Sequence, residues 1–432
     1  MENNSEKVSL FKGIRALSPL LVFLLFYVCL SVFAGNFYSV PLSIAFVVAS
    51  IWAVVITSGI KFAERIKVFS NAAANGDVIY MIWIFVLAGA FATLAKEIGA
   101  TKATVEFTLS VLPSNFLMPG LFLASCFVSM AIGTSVGTVV ALVPVAMGVA
   151  AQTGSSQPMF VALVVGGAFF GDNLSFISDT TIAATRTQGC NMRDKFRVNL
   201  WLTLPAAIVI LGLYVAIGMN IEAVSPAMPH DWWLVCPYML VILLAVMGIN
   251  VLIVLLLGIV TAVVVGCCTQ QFWMDMLSYM GNGVEGMGNL IVVTLLASGM
   301  LGLIRHNGGI RFLIYALSYG VKGKCGAQAA ISVCVAVVNF CTANNTIAIL
   351  TTGGLAREIT QKYTLDPKKT ASLLDTCSCV AQSLIPYGAQ VLMASSLSGL
   401  SPMQIIPYLY YPFALGLFVA LSIIFRFPKR FS

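Results

Sequence analysis

Long apolar runs, separated by short polar or basic segments, extend along the whole chain. A helix needs about 20 consecutive apolar residues to cross the hydrocarbon core of a bilayer. Strands of a membrane barrel would instead read as short alternating segments. The pattern therefore predicts an all-α polytopic membrane protein, and its charge-free runs cover 16–60, 107–171, 198–221, 232–274, 325–356 and 376–425.

We place about ten crossing helices and two helical hairpins on these runs. In the first half the predicted helices cover 16–34, 38–60, 78–96, 158–186 and 198–219, with a hairpin at 117–152. In the second half they cover 232–247, 249–268, 287–304, 371–397 and 403–425, with a hairpin at 325–356.

Composition excludes a soluble fold. The 432 residues are 59% hydrophobic and 9% charged, whereas about a quarter of the residues of a soluble domain are charged. The eleven Cys lie mostly in apolar segments. We interpret them as small buried residues, and the alternative is a role in disulfides or metal binding.

Basic residues concentrate in four short segments, 7–15, 61–67, 186–197 and 426–430. The positive-inside rule places these segments, and both termini, on the cytoplasmic side of a cell inner membrane. The loops around Asn36, at 222–233 and at 269–286 contain no Lys or Arg, so we place them outside. The net charge of +7 thus reflects topology, and we expect no nucleic-acid partner.

The run 325–356 is too long for one ordinary span and too short for two, and basic residues flank it on both sides. It predicts a re-entrant hairpin that enters from the cytoplasm, with its polar tip at Thr342–Thr346. The run 117–152 is interrupted at Gly133–Thr138, and its flanks face outside by the same topology. The two tips are expected to be reached from opposite sides.

A separation of roughly 209 residues relates the two hairpins and several other features, such as Gly99 with Gly308 and the break near Asp172 with that near Gln382. We predict two inverted repeats, 1–220 and 232–432, each with a hairpin and a broken helix (158–186 and 371–397). This plan is typical of secondary transporters. The alternative is chance similarity among apolar segments.

Asp172 and Asp179 lie in the middle of a run that must cross the bilayer. A carboxylate there costs several kcal/mol unless it serves a polar cavity. Neighbouring Asn173 and Ser175 favour an opened helix, whose free carbonyls add to the side-chain oxygens that suit Na⁺. Because burial disfavours the charged form of a carboxylate, protons compete with the cation for the site.

Two alternatives stay open for these carboxylates: Asp172 caps a half-helix, or Asp179 pairs with Arg186. A second group of candidates lies at the break marked by Pro386 and at the hairpin tips, where the alternative is close helix packing. Asp375 is either a cavity residue or a residue of the cytoplasmic side. The candidates of this second group are Gln382, Ser383, Tyr387, Thr134, Ser135, Thr138, Asn344, Asn345 and Thr346.

Four segments together resemble the NhaC family of Na⁺/H⁺ antiporters over nearly the whole chain: GTSVGT at 133–138, GGAFFGDNLSFISDTTIAATRTQG at 166–189, TANNTIAI at 342–349 and SLLDTCSCVAQSLIPYGAQ at 372–390. The resemblance implies that Asp172, Asp179 and Thr180 belong to the ion site. It also implies scaffold and transport domains, an elevator-like motion and, often, a homodimer.

We therefore predict a Na⁺/H⁺ antiporter that works by alternating access, with no cofactor, and with the lipid bilayer, Na⁺ and H⁺ as its partners. No Lys or Arg lies in the middle of a predicted span to meet a substrate carboxylate, which favours a cation. The alternative is a Na⁺- or H⁺-coupled transporter of malate, lactate or amino acids, as in relatives of the same family.

Other classes fit less well. The sequence lacks the HExxH motif of a metalloprotease, and Phe169 stands where the GxGD motif of intramembrane aspartyl proteases needs its first glycine. A passive channel needs a continuous pore, which paired hairpins do not favour. We predict that the chain is not an enzyme.

Overall fold

The computed structural model describes residues 10–33, 41–221, 231–269, 272–318 and 323–428. These ranges form α-helices with a few short 3₁₀ turns and contain no strand. The predicted external loops around Asn36 and at 222–230 lie outside the described residues, as do the basic residues Lys7, Lys322, Lys429 and Arg430.

The first half contains ten helices in the described ranges. They are α1 (Leu10–Phe33), α2 (Leu42–Ile56), α3 (Phe62–Ala73), α4 (Gly76–Glu97), α5 (Ala100–Val111), α6 (Leu117–Ile132), α7 (Ser135–Gln152), α8 (Gln157–Leu174), α9 (Asp179–Gln188) and α10 (Met192–Gly218).

The described part of the second half contains eleven helices, the last two separated by a 3₁₀ turn. They are α11 (Cys236–Val246), α12 (Val251–Cys268), α13 (Trp273–Gly286), α14 (Gly288–His306), α15 (Gly309–Ser318), α16 (Gly323–Thr342), α17 (Asn345–Lys362), α18 (Pro367–Leu384), α19 (Ala389–Ser398), α20 (Pro402–Ile405) and α21 (Tyr410–Ile424).

Nine segments of the described ranges are long and apolar enough to cross a membrane, and a tenth is obtained if α20 and α21, bent by 53°, form one span. The all-α polytopic fold and the number of about ten crossings are confirmed. The nine segments include α6, α7 and α16, which are arms of the predicted hairpins, whereas α2 is a shorter apolar helix. Length does not distinguish a re-entrant hairpin from two crossings, so the re-entrant geometry stays a prediction.

Four helices were not predicted: α3, α5, α13 and α15. The prediction of an external loop at 269–286 is wrong for 273–286, which forms α13 and packs on α4 where Gly89 faces Gly283. A Cβ atom on Gly89 would lie 2.3 Å from the Gly283 carbonyl oxygen. Short helices of this kind escape a search for long apolar runs, because tertiary packing rather than length stabilises them.

Several elements of the two halves are alike, whereas the division of the chain into two repeats stays a prediction. Gly99, with φ of +86°, precedes α5, and Gly308, with φ of +81°, precedes α15. Likewise the broken pair α8–α9 corresponds to α18–α19, and the pair α6–α7 corresponds to α16–α17. The opposite membrane orientation of the two halves stays a prediction.

The interrupted helices pack against one another. α8 lies against α6 and α7, α18 lies against α16 and α17, and α17 and α18 both contact α9. Gly167 and Gly171 permit the close approach of α8 to α6, since Cβ atoms at these positions would meet the α6 backbone at 2.7 Å and 2.5 Å. This packing brings the two breaks and the two hairpin tips to one place.

Candidate functional site

The first broken helix opens between Leu174, where α8 ends, and Asp179, where α9 begins. Ser175 and Ser178 both have extended backbone, with ψ of 140° and 138°. The Thr181 hydroxyl donates to the Ser175 carbonyl at 2.8 Å, which ties the two half-helices together across the break. Asp172 lies in the last turn before this opening.

Asp172 is buried, with 4% of its surface exposed. The Ser178 hydroxyl donates to Oδ1, and the Ser135 hydroxyl donates to Oδ2 at 3.1 Å. Ser178 and Thr180 share a further hydroxyl contact of 2.9 Å. Among the described residues, Asp172 accepts hydrogen bonds from these two hydroxyls and from no N–H group at a helix terminus. It therefore does not act as a helix cap.

A chain of hydrogen bonds continues from Ser135 to the other interrupted elements. Gln390 Nε2 donates to Ser135 Oγ at 2.9 Å, and Gln382 Nε2 lies 3.2 Å from Gln390 Oε1. Gln382 Nε2 also donates to the Ala343 carbonyl at 3.0 Å. The chain therefore links Asp172 to the first hairpin, to both sides of the second break and to the tip of the second hairpin.

A cavity of about 430 Å³ opens beside Asp172. Asp179 is exposed and lines it, and the described residues include no ion pair of Asp179, although Arg186 lines the same cavity. Nine of the predicted site residues are brought together on the cavity wall, namely Asp172, Asp179, Thr180, Thr134, Ser135, Asn344, Asn345, Thr346 and Gln382.

Five predicted site residues do not line this cavity. The Tyr387 hydroxyl donates to the Phe340 carbonyl at 2.6 Å, and Thr138 and Ser383 donate to carbonyls of their own helices. Asn173 donates to the Phe169 carbonyl, and Ser175 Oγ accepts from the Ile177 N–H. In this arrangement these side chains support the breaks rather than face the cavity.

The cavity wall is rich in oxygen acceptors that suit a hard cation. Asp172 and Asp179 supply carboxylates, and Gln382 Oε1 is buried with no hydrogen-bond partner in the described part of the chain. A buried acceptor that lacks a protein partner is normally satisfied by an ion or a water molecule. The wall thus has the chemistry to hold a small cation or, on the carboxylates, a proton.

Sequence reasoning missed several residues of the wall. Ser178 and Gln390 are absent from the predicted site residues, although each makes a hydrogen bond of the Asp172 network. Asp77 and Tyr80 are absent from the predicted site as well, and both lie exposed on the cavity wall. Only proximity in the fold identifies these residues, because Tyr80 and Asp77 lie on α4, far from the motifs.

One basic residue that the sequence places in a cytoplasmic segment is buried in the protein. Lys195 was assigned to a cytoplasmic segment, yet its side chain is 1% exposed and forms a 2.6 Å ion pair with Asp375, which is fully buried. Along α10, Arg193 and Arg197 face outward while Lys195 and Asn199, four residues apart, face inward. Asp375 is thus a buried residue that contacts the first broken helix through Lys195 and does not line the cavity beside Asp172, and its side of the membrane stays a prediction.

Comparison with known proteins agrees with this architecture. The profile of the Na⁺/H⁺ antiporter family matches residues 11–219 and 227–428. The chain is 26% identical to the Na⁺/H⁺ antiporter NhaC of Bacillus subtilis, over 90% of this chain and 92% of that protein. It is 24% identical to NhaC of Alkalihalophilus pseudofirmus, over 77% of this chain and 79% of the relative.

A third relative is the malate-2H⁺/Na⁺-lactate antiporter of Bacillus subtilis, 21% identical over 91% of both chains. These relatives are antiporters, so the prediction that the chain is a transporter and not an enzyme is confirmed. The resemblance to NhaC is confirmed as well. With its apolar helices and a family match over almost its entire length, this multi-pass membrane protein belongs to the Na⁺/H⁺ antiporter family.

Proposed function

We propose that the protein exchanges Na⁺ for H⁺ and that Asp172 and Asp179 bind the two ions in turn. The observation that carries the proposal is the position of Asp172. It is a buried carboxylate at the meeting point of both broken helices and both hairpins, beside a cavity whose wall includes Asp179.

The physical basis is competition for one set of oxygens. A deprotonated carboxylate at low dielectric needs a counter-charge, which Na⁺ or a proton supplies, and binding of one displaces the other. The hydroxyls of Ser135 and Ser178 stabilise the carboxylate while it exchanges its partner. This competition is sufficient to couple the two ion fluxes.

Access to the site is proposed to alternate between the two faces. A larger cavity of about 870 Å³, lined by Arg305 and Arg311, shares Asp77 and Leu350 with the site cavity. Because the positive-inside rule assigns this basic end to the cytoplasm, the shared wall supports a cytoplasmic route in this conformation. Contacts between the two groups, of α9 with α17 and α18 and of α19 with α7 and α8, support the movement of α6–α9 and α16–α19 as one elevator-like unit.

Addition of Na⁺ is expected to dissipate a preformed proton gradient in proteoliposomes, because Na⁺ displaces protons from the buried carboxylates. The measurement is the fluorescence of a pH-sensitive dye inside vesicles that receive NaCl, LiCl, KCl or choline chloride at equal ionic strength. Protein-free vesicles are the control. A gradient that persists equally in all four salts would contradict the proposal.

An organic acid is the second candidate substrate, and Arg186 is the observation that favours it. Its side chain lines the cavity and forms no ion pair within the described residues, so it is able to meet a substrate carboxylate. The relative from Bacillus subtilis that exchanges malate and lactate supports this alternative. The same vesicles are therefore tested with malate, lactate and amino acids, and a response to one of these without a response to Na⁺ favours the second candidate.

The proposed inverted topology predicts opposite sides for the loops that end the two hairpins. The two tips are poor reporters, because Val136 and Ala343 line one cavity. Exposed Ser156 and Thr364, at matching positions after α7 and α17, are better ones.

In a Cys-free background, Ser156→Cys is expected to react with a membrane-impermeant maleimide added to intact cells. Thr364→Cys is expected to react only after the membrane is opened, because basic residues at the ends of α17 and α18 flank its loop and place it on the cytoplasmic side. The readout is the mass shift of the purified protein. Reaction of both positions from the same side would exclude the inverted arrangement.

A further inference from the structure

Lys195 occupies a pocket built from the oxygens of three helices. Its Nζ lies 2.8 Å from the carbonyl oxygen of Asn173 on α8 and 2.7 Å from the hydroxyl of Thr181 on α9. The third partner is Asp375 Oδ2 on α18, at 2.6 Å. An ammonium has three donors, so its hydrogen-bonding capacity is filled by this pocket.

The pocket is held by a cross-link that does not depend on Lys195. Asn199 Nδ2 donates to the Asn173 carbonyl and to Asp375 Oδ2, each at 2.8 Å. Asp375 Oδ1 is buried and has no hydrogen-bond partner among the residues that the structure describes. The shape of the pocket therefore does not depend on the ammonium, and Asp375 Oδ1 is a free acceptor in it.

We propose that the Lys195 ammonium is a tethered cation that permanently fills a second site for a small monovalent cation. The opened backbone carbonyl, the hydroxyl and the carboxylate are the ligand types with which broken helices of transporters hold Na⁺. Truncation of Lys195 leaves these oxygens and one buried negative charge, which a free cation compensates. The consequence of this proposal for transport rests on the proposed function. With this site filled by a side chain, Asp172 provides the binding position for the mobile ion.

A purely structural ion pair makes a different prediction. If the oxygens only anchor the lysine, its loss leaves an uncompensated carboxylate that no added salt rescues. If they form a cation site, Na⁺, K⁺ or ammonium stabilises the truncated protein, whereas bulky choline does not. The dependence of stability on the identity of the cation therefore separates the two roles.

The test measures thermal unfolding of the purified full-length protein in choline chloride and in NaCl, KCl or ammonium chloride at equal ionic strength. All variants carry Asp172→Asn, so that cation binding at the proposed transport site contributes equally. The Asp172→Asn/Lys195→Ala protein is expected to have a Tm about 4 °C higher in a saturating small cation than in choline. Asp172→Asn alone and the triple variant with Asp375→Asn are expected to show no such rise.

An equal response of the Asp172→Asn and Asp172→Asn/Lys195→Ala proteins to all four salts would overturn the proposal. Where the truncated protein aggregates in choline, recovery of monodisperse protein in NaCl, KCl or ammonium chloride supports it. Aggregation in every salt, with a monodisperse triple variant, overturns it. Because the readout is stability in a background without Asp172, failure of Na⁺/H⁺ exchange in the wild-type protein does not change this result.

Discussion

Asp172→Asn is expected to reduce Na⁺-dependent proton movement to the rate of protein-free vesicles while the protein stays folded. The amide keeps the shape of the side chain, and its oxygen still accepts from Ser135 or Ser178. The substitution removes the negative charge and the proton site at the point where the interrupted helices meet. The measurement is the vesicle assay, together with yield and monodispersity of the purified variant.

Two other carboxylates serve as comparisons. Asp179→Asn is expected to cause a severe loss with a shifted pH dependence, because it removes one of the two carboxylates on the cavity wall that are proposed to bind Na⁺ and H⁺. Asp194→Asn is the control, since Asp194 contacts Lys368 at 3.5 Å and does not line the cavity. It is expected to retain the wild-type rate. Wild-type transport by Asp172→Asn, with an unchanged pH profile, would remove Asp172 from the mechanism.

Gly171→Ala is expected to abolish most of the yield of folded protein, although it adds one methyl group. The new Cβ would lie 2.5 Å from the Cys126 carbonyl oxygen, from the Met130 nitrogen and from Ser129 Cβ. Two of these atoms belong to the α6 backbone, so α6 and α8 must separate. Overpacking of this kind costs roughly 1–3 kcal/mol or more, and it displaces the neighbouring Asp172.

The matched control is Gly212→Ala, also within a helix, where an added Cβ meets no atom within 4 Å. We expect it not to destabilise the protein, and to stabilise it by up to about 1 kcal/mol, because Ala has a higher helix propensity than Gly. The readouts are the yield after size-exclusion chromatography and the apparent Tm of both variants. Indistinguishable values for the two would contradict the close packing of α6 on α8.

The division between sequence and fold is clearest at Asp172. The cost of a carboxylate in an apolar run identified it without a structure, and Gly, Asn and Ser around it predicted the break that α8 and α9 show. These features are local, because backbone preference and the length of an apolar run depend on neighbouring residues only. The same reasoning predicted the all-α fold and about ten crossings.

Tertiary structure decided which polar side chains meet. Tyr387 belongs to a predicted break, but its ring packs against Phe23 and Phe46 and its hydroxyl is bound to a carbonyl. Lys195 lies among basic residues of a cytoplasmic segment, yet α10 turns it toward Asp375, 180 positions later in the chain. Local sequence patterns specify a helix and the positions at which it breaks. Which side chain a residue contacts across a helix interface depends on the rotation and packing of both helices, and short sequence windows do not encode these.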